Sequence, residues 1–491
     1  MAVLALFYGL SYCDATGAFF HYDDYWVLSE AAAVDLRGPL DIVQFFVPGR
    51  NGFVLYRPLS TVVYFRLLHA AFGYDAAGYH AVQVLFHCLN GLLGYAIAST
   101  VLRSRLLGLA VALVYASAPG HAIAVFWMAL FSMTGTAFFY LLCLCLWLRW
   151  DGRARLALCL PLFLAALGCG EHAVTLPVVL SLSVVLLEGR WPNRRDWLAQ
   201  APFYAVALAY AAAKLYYLRF VFPFSFPDPF RQAATLRAYG WHADPWGILD
   251  HLGRYAAFGF NLLFAVIDPG PPGTSWPITG IGGVVTAATV VAAVLARPGR
   301  RISAEKRAVA FGLALFAVAL LPVLGLRDHT YGYYVGIAGL GLALAAVAAL
   351  AALPRRGVAA AAACAGVVLL VHVGVTWGSA RAQRDFDFLR EFSRSAARWL
   401  YTVEWIADHD PGTRELVVAR NPLTFMLFDD TGAHRLILPD VHLGVRSVEE
   451  VSRVEASPGR RTMSAPYVLA PGQPWPGSQR RWDWLRWPPV S

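Results

Sequence analysis

Apolar runs long enough to cross a lipid bilayer recur along most of this chain, and they limit its fold more than any other feature. A spanning helix takes about 20 residues, because its backbone N–H and C=O groups must be satisfied internally where there is no water. Gly78 to Leu102 is such a run, and others lie at 106–118, 122–148, 156–170, 173–187, 199–221, 278–296, 308–326, 335–353 and 357–377. With the short opening segment Met1 to Cys13, which lacks the basic start and small-residue cleavage site of a signal peptide, they make about eleven crossings. Only 14% of residues are charged, against roughly a quarter in soluble domains. The expected class is an all-α polytopic membrane protein over residues 1–377.

The formal net charge is +9, but no zinc-finger or RNA-binding spacing accompanies it, so no nucleic-acid partner is expected. The basic residues instead mark every second connection. Arg103 and Arg105, then Arg149, Arg153 and Arg155, then Arg190, Arg194 and Arg195, then Arg297 to Arg307, then Arg355 and Arg356 alternate with connections that lack them. The positive-inside rule makes those loops cytoplasmic and the protein a multi-pass component of the cell (plasma or inner) membrane. Residues 248–267 contain Asp250, His251, Arg254 and Asn261. A crossing there would move every later basic loop outside, so an interfacial helix within a long outer loop is expected. The seven cysteines fall in or beside apolar segments and suggest no disulfide framework.

From Gly378 the composition becomes that of a soluble segment. Phe388, Leu389, Phe392, Ala396, Trp399, Val403 and Ile406 recur at helical spacing over 382–408. Glu415 to Ala419, Arg435 to Leu438 and Tyr467 to Ala470 read as strands. Residues 378–491 are therefore expected to form a small C-terminal α/β domain, extracytoplasmic on this topology.

The polar clusters that are awkward for a membrane protein share that outer side: Asp23 and Asp24, Arg57, His121, Glu171 and His172, and Arg327, His329, Tyr331, Tyr333 and Tyr334. Ionisable groups near hydrocarbon are costly to keep, so such a gathering points to a shared site. Each also has a structural reading. Asp24 would cap a short interfacial helix over 25–35, Glu171 would complement a helix dipole, His121 would be a capping or interfacial residue, and the tyrosines would form an aromatic belt. His69, His80, His87 and His372 read as helix-packing residues. Nucleotide-binding, zinc-protease and serine-hydrolase motifs are absent from the sequence.

Asp23-Asp24 after the first apolar segment, Tyr56-Arg57-Pro58-Leu59, Gly73, and Gly78-Tyr79-His80-Ala81-Val82-Gln83-Val84-Leu85-Phe86-His87 together resemble the N-terminal half of the GT-C glycosyltransferases. Within that group the protein O-mannosyltransferase-like and tetratricopeptide-linked membrane mannosyltransferases are nearest. Pro119-x-His121 and Glu171 with Pro177, each at the head of a later span, fit the same pattern. The resemblance covers roughly residues 1–190, extends weakly to Arg327–Gly341, and does not include the tail. Two positions depart from it: Gly170 stands where relatives often carry Lys, and Ile123 where they carry Glu.

The resemblance implies an inverting transfer of a sugar from a polyprenyl-phosphate donor to an acceptor hydroxyl of a glycan, lipid or protein outside the cytoplasm. Asp23 corresponds to the catalytic base of the first outer loop, with Asp24 beside it. The departing lipid monophosphate needs cationic partners, for which Arg57, His121, His172, Arg327 and His329 are available. Glu171, Tyr331 and Tyr334 complete the substrate-binding set, and neither a cofactor nor a divalent metal is expected. Two alternatives stay open: a transporter or flippase of lipid-linked saccharides, using Lys214 and Arg66 within apolar segments, and a polysaccharide polymerase or ligase working from the loop 222–277.

Overall fold

The computed structural model describes residues 2–12, 15–20, 23–33, 38, 41, 56–118, 120–220, 233, 240–241, 244–260, 276–296, 298, 302–326, 330–352, 366, 399, 403, 415–419, 442–446 and 460–463. In chain order the helices are α1 (Ala2–Tyr12), α2 (Asp23–Ala33), α3 (Tyr64–Phe72), α4 (Ala76–Leu102), α5 (Arg105–Ala116), α6 (Gly120–Phe126), α7 (Phe131–Arg149), α8 (Gly152–Cys169), α9 (Leu176–Ser183), α10 (Arg194–Phe220), α11 (Pro245–Gly259), α12 (Trp276–Leu295), α13 (Ala304–Leu324) and α14 (Val335–Ala351). Among the described residues, six helical stretches are long and apolar enough to cross a membrane: Ala76–Leu102, Met128–Arg149, Glu171–Glu188, Pro277–Leu295, Ala304–Leu324 and Gly332–Ala351. The chain is a helical multi-pass membrane protein.

Local chemistry starts several of these helices where the sequence changes from polar to apolar. The carboxylate of Asp75 accepts from the N–H of Ala77 at 3.0 Å and caps α4. Ser104 caps α5 through the N–H of Leu107. Asp244 caps α11 through Gly247. Each satisfies one of the donors that a helix start leaves without an intrahelical partner.

Sequence neighbours pack as antiparallel pairs: α4 with α5, α7 with α8, α11 with α12, and α13 with α14. Glycines let the backbones approach in two of these pairs: a Cβ on Gly282 of α12 would collide with the Leu249 carbonyl oxygen of α11, and one on Gly312 of α13 would lie 2.6 Å from the Gly341 carbonyl oxygen of α14. One core cluster runs through α4, α5, α7 to α11, α13 and α14. By contrast α12 exposes Val284, Val290, Val291 and Val294, as a lipid-facing helix does.

The break between α6 and α7 is held by a polar stripe on α4. His80, Gln83, His87 and Asn90 recur at helical spacing and all are buried. The Nδ1 of His80 lies 3.2 Å from the Val125 carbonyl, Gln83 donates to the Ala124 carbonyl, and Asn90 donates to the Thr134 carbonyl at 3.0 Å. Of the histidines expected to pack helices, His80 holds irregular backbone inside the bundle, where unpaired groups are expensive. His87 packs against Tyr8, Tyr12 and His121, His69 on α3 packs against Tyr74, and His372 lies outside the described residues.

Two expectations need correction. The segment expected as an interfacial helix at 248–267 is helical over its described residues, as α11, but the residues from Asp250 to Gly259 are all buried rather than interfacial, and 261–267 lie outside the described residues. Its ions are compensated internally: Arg254 Nε lies 2.7 Å from Asp250, Thr279 donates to Asp250 at 3.0 Å, and His251 meets the Leu324 carbonyl at 2.9 Å. Asp24 does not serve as a local helix cap. It lies within the first turn of α2, and its carboxylate accepts from the backbone N–H of Ala129, 105 residues away, at 2.6 Å.

In the tail a three-stranded parallel sheet has the order β2-β1-β3, from β1 (Glu415–Ala419), β2 (His442–Arg446) and β3 (Arg460–Met463). The first strand is at the expected residues, whereas β2 and β3 are not among those expected. Trp399 and Val403, four residues apart, are helical and buried. The remainder of the 382–408 helix, the expected strands at 435–438 and 467–470, and the span at 357–377 lie outside the described residues.

Candidate functional site

The first residues of α2 set the acidic end of the site. Asp24 is fully buried and committed to Ala129, whereas Asp23, one position earlier, is only partly buried. The Tyr25 hydroxyl donates to the Phe20 carbonyl at 3.0 Å and ties the start of α2 to the chain before it. Burial, then the neighbouring charge of Asp24, pushes the Tyr25 and Tyr64 hydroxyls upward in pKa. Asp23 acts on a different residue: burial first, then the Asp23 charge, raises Tyr331.

Tyr331 leads into a row of rings. It stacks on Tyr333 at 5.0 Å with an 8° interplanar angle, and Tyr333 meets Tyr334 at 4.7 Å. Tyr334 lies 5.0 Å from the ring of His172. The turn Gly332–Tyr334 that carries these rings lies close against the start of α6, because a Cβ on Gly120 would collide with the Gly332 carbonyl.

Next to His172 is the cationic end. Arg57 donates through Nε to Glu171 Oε2 at 3.0 Å and through Nη2 to Oε1 at 2.5 Å, a bidentate fork, and through Nη1 to Ser132 at 3.3 Å. Lys214, from the C-terminal third of α10, places Nζ 3.6 Å from Glu171 Oε2. Side-chain exposure is 12% for Arg57, 22% for Glu171 and 6% for Lys214. Two cations face one carboxylate here. Arg57 already occupies both carboxylate oxygens, and Lys214 Nζ and both ring nitrogens of His172 have no hydrogen-bond partner among the described residues. Buried polar atoms without partners are uncommon, and a cluster in which two cations face one carboxylate has the chemistry to accept an anion.

Of the residues singled out from sequence, the structure thus joins Asp23, Tyr331, Tyr334, His172, Glu171 and Arg57 in one continuous arrangement. Asp24 is beside it but turned to the backbone. His121 packs elsewhere, against His87 at 4.6 Å and Tyr115 at 4.8 Å, and burial lowers its pKa to about 4. A neutral imidazole can donate a hydrogen bond to phosphate but supplies no charge. Arg327 and His329 lie outside the described residues. Lys214 was missing from the expected binding set; its signal in the sequence is a lone ammonium in an otherwise apolar stretch.

No family model matches the chain. A curated relative, Protein O-mannosyl-transferase Tmtc1 of Drosophila melanogaster, is 35% identical over 137 residues. The likeness is to a membrane O-mannosyltransferase. It agrees with the resemblance drawn from the sequence motifs, and it spans 27% of this chain and 16% of that relative's length. Among solved structures, ArnT from Cupriavidus metallidurans bound to undecaprenyl phosphate aligns with a TM-score of 0.49 and 16% identity, over 92% of this chain and 89% of that one. Archaeal oligosaccharyltransferase AglB from Archaeoglobus fulgidus, in complex with an inhibitory peptide and a dolichol-phosphate, aligns with a TM-score of 0.45 and 11% identity, over 89% of this chain and 63% of that one.

Proposed function

We propose that the protein is an integral membrane glycosyltransferase that moves a sugar from a polyprenyl-phosphate donor to an acceptor hydroxyl, with Asp23 as base. The observation that carries this reading is the separation of opposite charges along one row of rings: a carboxylate within electrostatic reach of Tyr331 at one end, and a cation-rich cluster beside Tyr334 at the other. A sugar phosphate has matching ends. The donor phosphate is held by Arg57 and Lys214, with His172 donating a hydrogen bond, and the sugar lies along Tyr331 and Tyr334.

Asp23 takes the proton of the acceptor hydroxyl as its oxygen attacks the anomeric carbon. The bond to the phosphate oxygen breaks on the opposite face, so the configuration inverts, and the prenyl phosphate leaves with its charge on Arg57 and Lys214. Fixed cations serve a monophosphate leaving group, so the reading requires no divalent metal. Arg327 and His329, outside the described residues, are proposed as further partners of the phosphate. The fuller reading has about eleven crossings, a catalytic mouth and C-terminal domain (378–491) outside the cytoplasm at the cell membrane, and an acceptor bound with help from that domain.

For the transporter alternative Lys214 would act deep within a span, but it sits beside Glu171, the first residue of one. The test is Asp23→Asn in purified, membrane-reconstituted protein given a panel of prenyl-phosphate sugars. Release of prenyl phosphate falls at least ~100-fold, the scale of losing a general base, with unfolding temperature unchanged. Wild-type release by Asp23→Asn removes Asp23 from the mechanism.

A further inference from the structure

At the other end of the bundle, four of the arginine-marked connections converge on a cavity of about 540 Å³. Arg103 follows α4, Arg155 opens α8, Arg190 precedes α10 and Arg307 opens α13, and all four line it. The 18-residue helical stretch that begins with Glu171 ends with Glu188 at this cavity, roughly 25 Å away along its axis. On α10, Asp196 is at the cavity and Lys214 is at the cluster described above. The two sites are therefore at opposite ends of the same helices.

The carboxylates at the cavity do not balance its arginines. Arg190 takes Glu188 at 2.7 Å and Asp196 at 2.5 Å, and Arg155 reaches the almost fully exposed Asp151 at 3.4 Å. Arg307 leans across Gly189, which has a φ of +71° and no side chain to obstruct it, and donates to the Leu186 carbonyl at 3.5 Å. Arg103 has left-handed backbone (φ 50°, ψ 31°) and no ion pair among the described residues. Just outside, Arg149 directs its guanidinium to the Thr100 hydroxyl and the Ala96 carbonyl, neither of which is charged. The guanidinium carbon of Arg155 lies 4.1 Å from the centre of the Trp147 ring, a cation–π contact at the cavity wall.

The depth of the cavity indicates what its ligand is attached to. Trp150, Trp191 and Trp197, close in sequence to its lining, are 46%, 71% and 50% exposed. Exposed tryptophans at helix ends mark the headgroup level of a bilayer. A basic pocket between membrane helices at that level fits the phosphate of an acidic lipid. We propose that this cavity binds the phosphodiester head group of an anionic phospholipid from the leaflet bordering the arginine-rich connections. The guanidinium of Arg103, which has no ion pair among the described residues, meets the phosphate, with Arg155 and Arg307 beside it in the lining. This is separate from any donor site, and it stands whether or not the chain transfers sugar.

The test uses full-length protein in detergent, given phosphatidylglycerol or phosphatidylcholine with the same acyl chains, with retained lipid counted by native mass spectrometry. Phosphatidylglycerol is retained at least ~10-fold better, as expected for a charge-assisted phosphate contact, and Arg103→Gly with Arg155→Gln removes most of that preference. Glycine accepts the backbone conformation of Arg103, so that substitution removes charge without adding strain. Should the double variant fail to fold, Arg103→Gly alone, checked by circular dichroism, must still lower the preference. Equal retention of the two lipids overturns the proposal, as does an undiminished preference in a folded variant. Glycerol 1-phosphate binding as tightly as the lipid would identify a site for soluble phosphate and overturn the lipid assignment.

Discussion

Arg57 grips both carboxylate oxygens of Glu171 across 114 residues of sequence, joining the segment before α3 to the head of the stretch that contains α9. Breaking a fully buried pair by removing one partner costs about 3–5 kcal/mol. The partial exposure of Glu171 brings the expectation for Glu171→Gln down to about 2–3 kcal/mol, because solvent screens part of the lost attraction. Thermal unfolding of the detergent-solubilised variant checks this. An unchanged midpoint would mean that the fork does not hold these segments.

Lys214 should respond differently. Its ammonium is buried, its one ion-pair partner among the described residues is Glu171 at 3.6 Å, and both oxygens of Glu171 are already taken by Arg57. Lys214→Met is expected to be neutral or stabilising by about 1 kcal/mol, since an apolar side chain avoids the desolvation of a buried charge. It should still raise the KM for a prenyl-phosphate sugar at least ~10-fold, the loss of one charge-assisted phosphate contact. Unaltered donor saturation in a folded Lys214→Met protein would separate Lys214 from the phosphate.

The neighbouring acids of α2 are expected to divide their roles. Asp24→Ala leaves the Ala129 N–H without its acceptor and should cost about 1–3 kcal/mol. Asp24→Asn keeps an oxygen for that N–H and should recover most of the loss, whereas Asp23→Asn should leave stability unchanged. Chemical denaturation of the three variants side by side decides this, and equal effects at both positions would contradict it.

His121 gives a pH dependence with a definite sign. Burial lowers its pKa from 6.5 to about 4 in the folded protein, so the unfolded chain binds the extra proton first as pH falls. Its contribution to stability is therefore complete above about pH 6.5 and is lost progressively towards pH 4. At about 1.4 kcal/mol per unit, the loss is on the order of 3 kcal/mol. Unfolding midpoints measured between pH 7.5 and 4.5 should fall less steeply for His121→Gln than for the natural protein. Parallel curves would show that His121 titrates normally.

Legibility in the sequence follows from the range over which each feature is set. The long apolar stretches, the strand at Glu415–Ala419 and the gathering of arginines between spans are local properties, governed by the hydrophobicity and backbone chemistry of adjacent residues. Asp23, Arg57 and Glu171 stood out for the same reason, as charges placed where hydrocarbon makes them expensive.

Only tertiary packing separated Asp24 from Asp23, because the N–H that Asp24 accepts from belongs to a helix break 105 residues away. It also brought Lys214 to Glu171, buried Asp250 and Arg254 as a pair within α11, and turned His121 towards His87. Burial and electrostatic partnership depend on which distant surfaces meet. The sequence by itself determined a membrane-spanning helical protein with charges in unusual places; the packing of its helices decided which of those charges compensate one another and which are left to face a ligand.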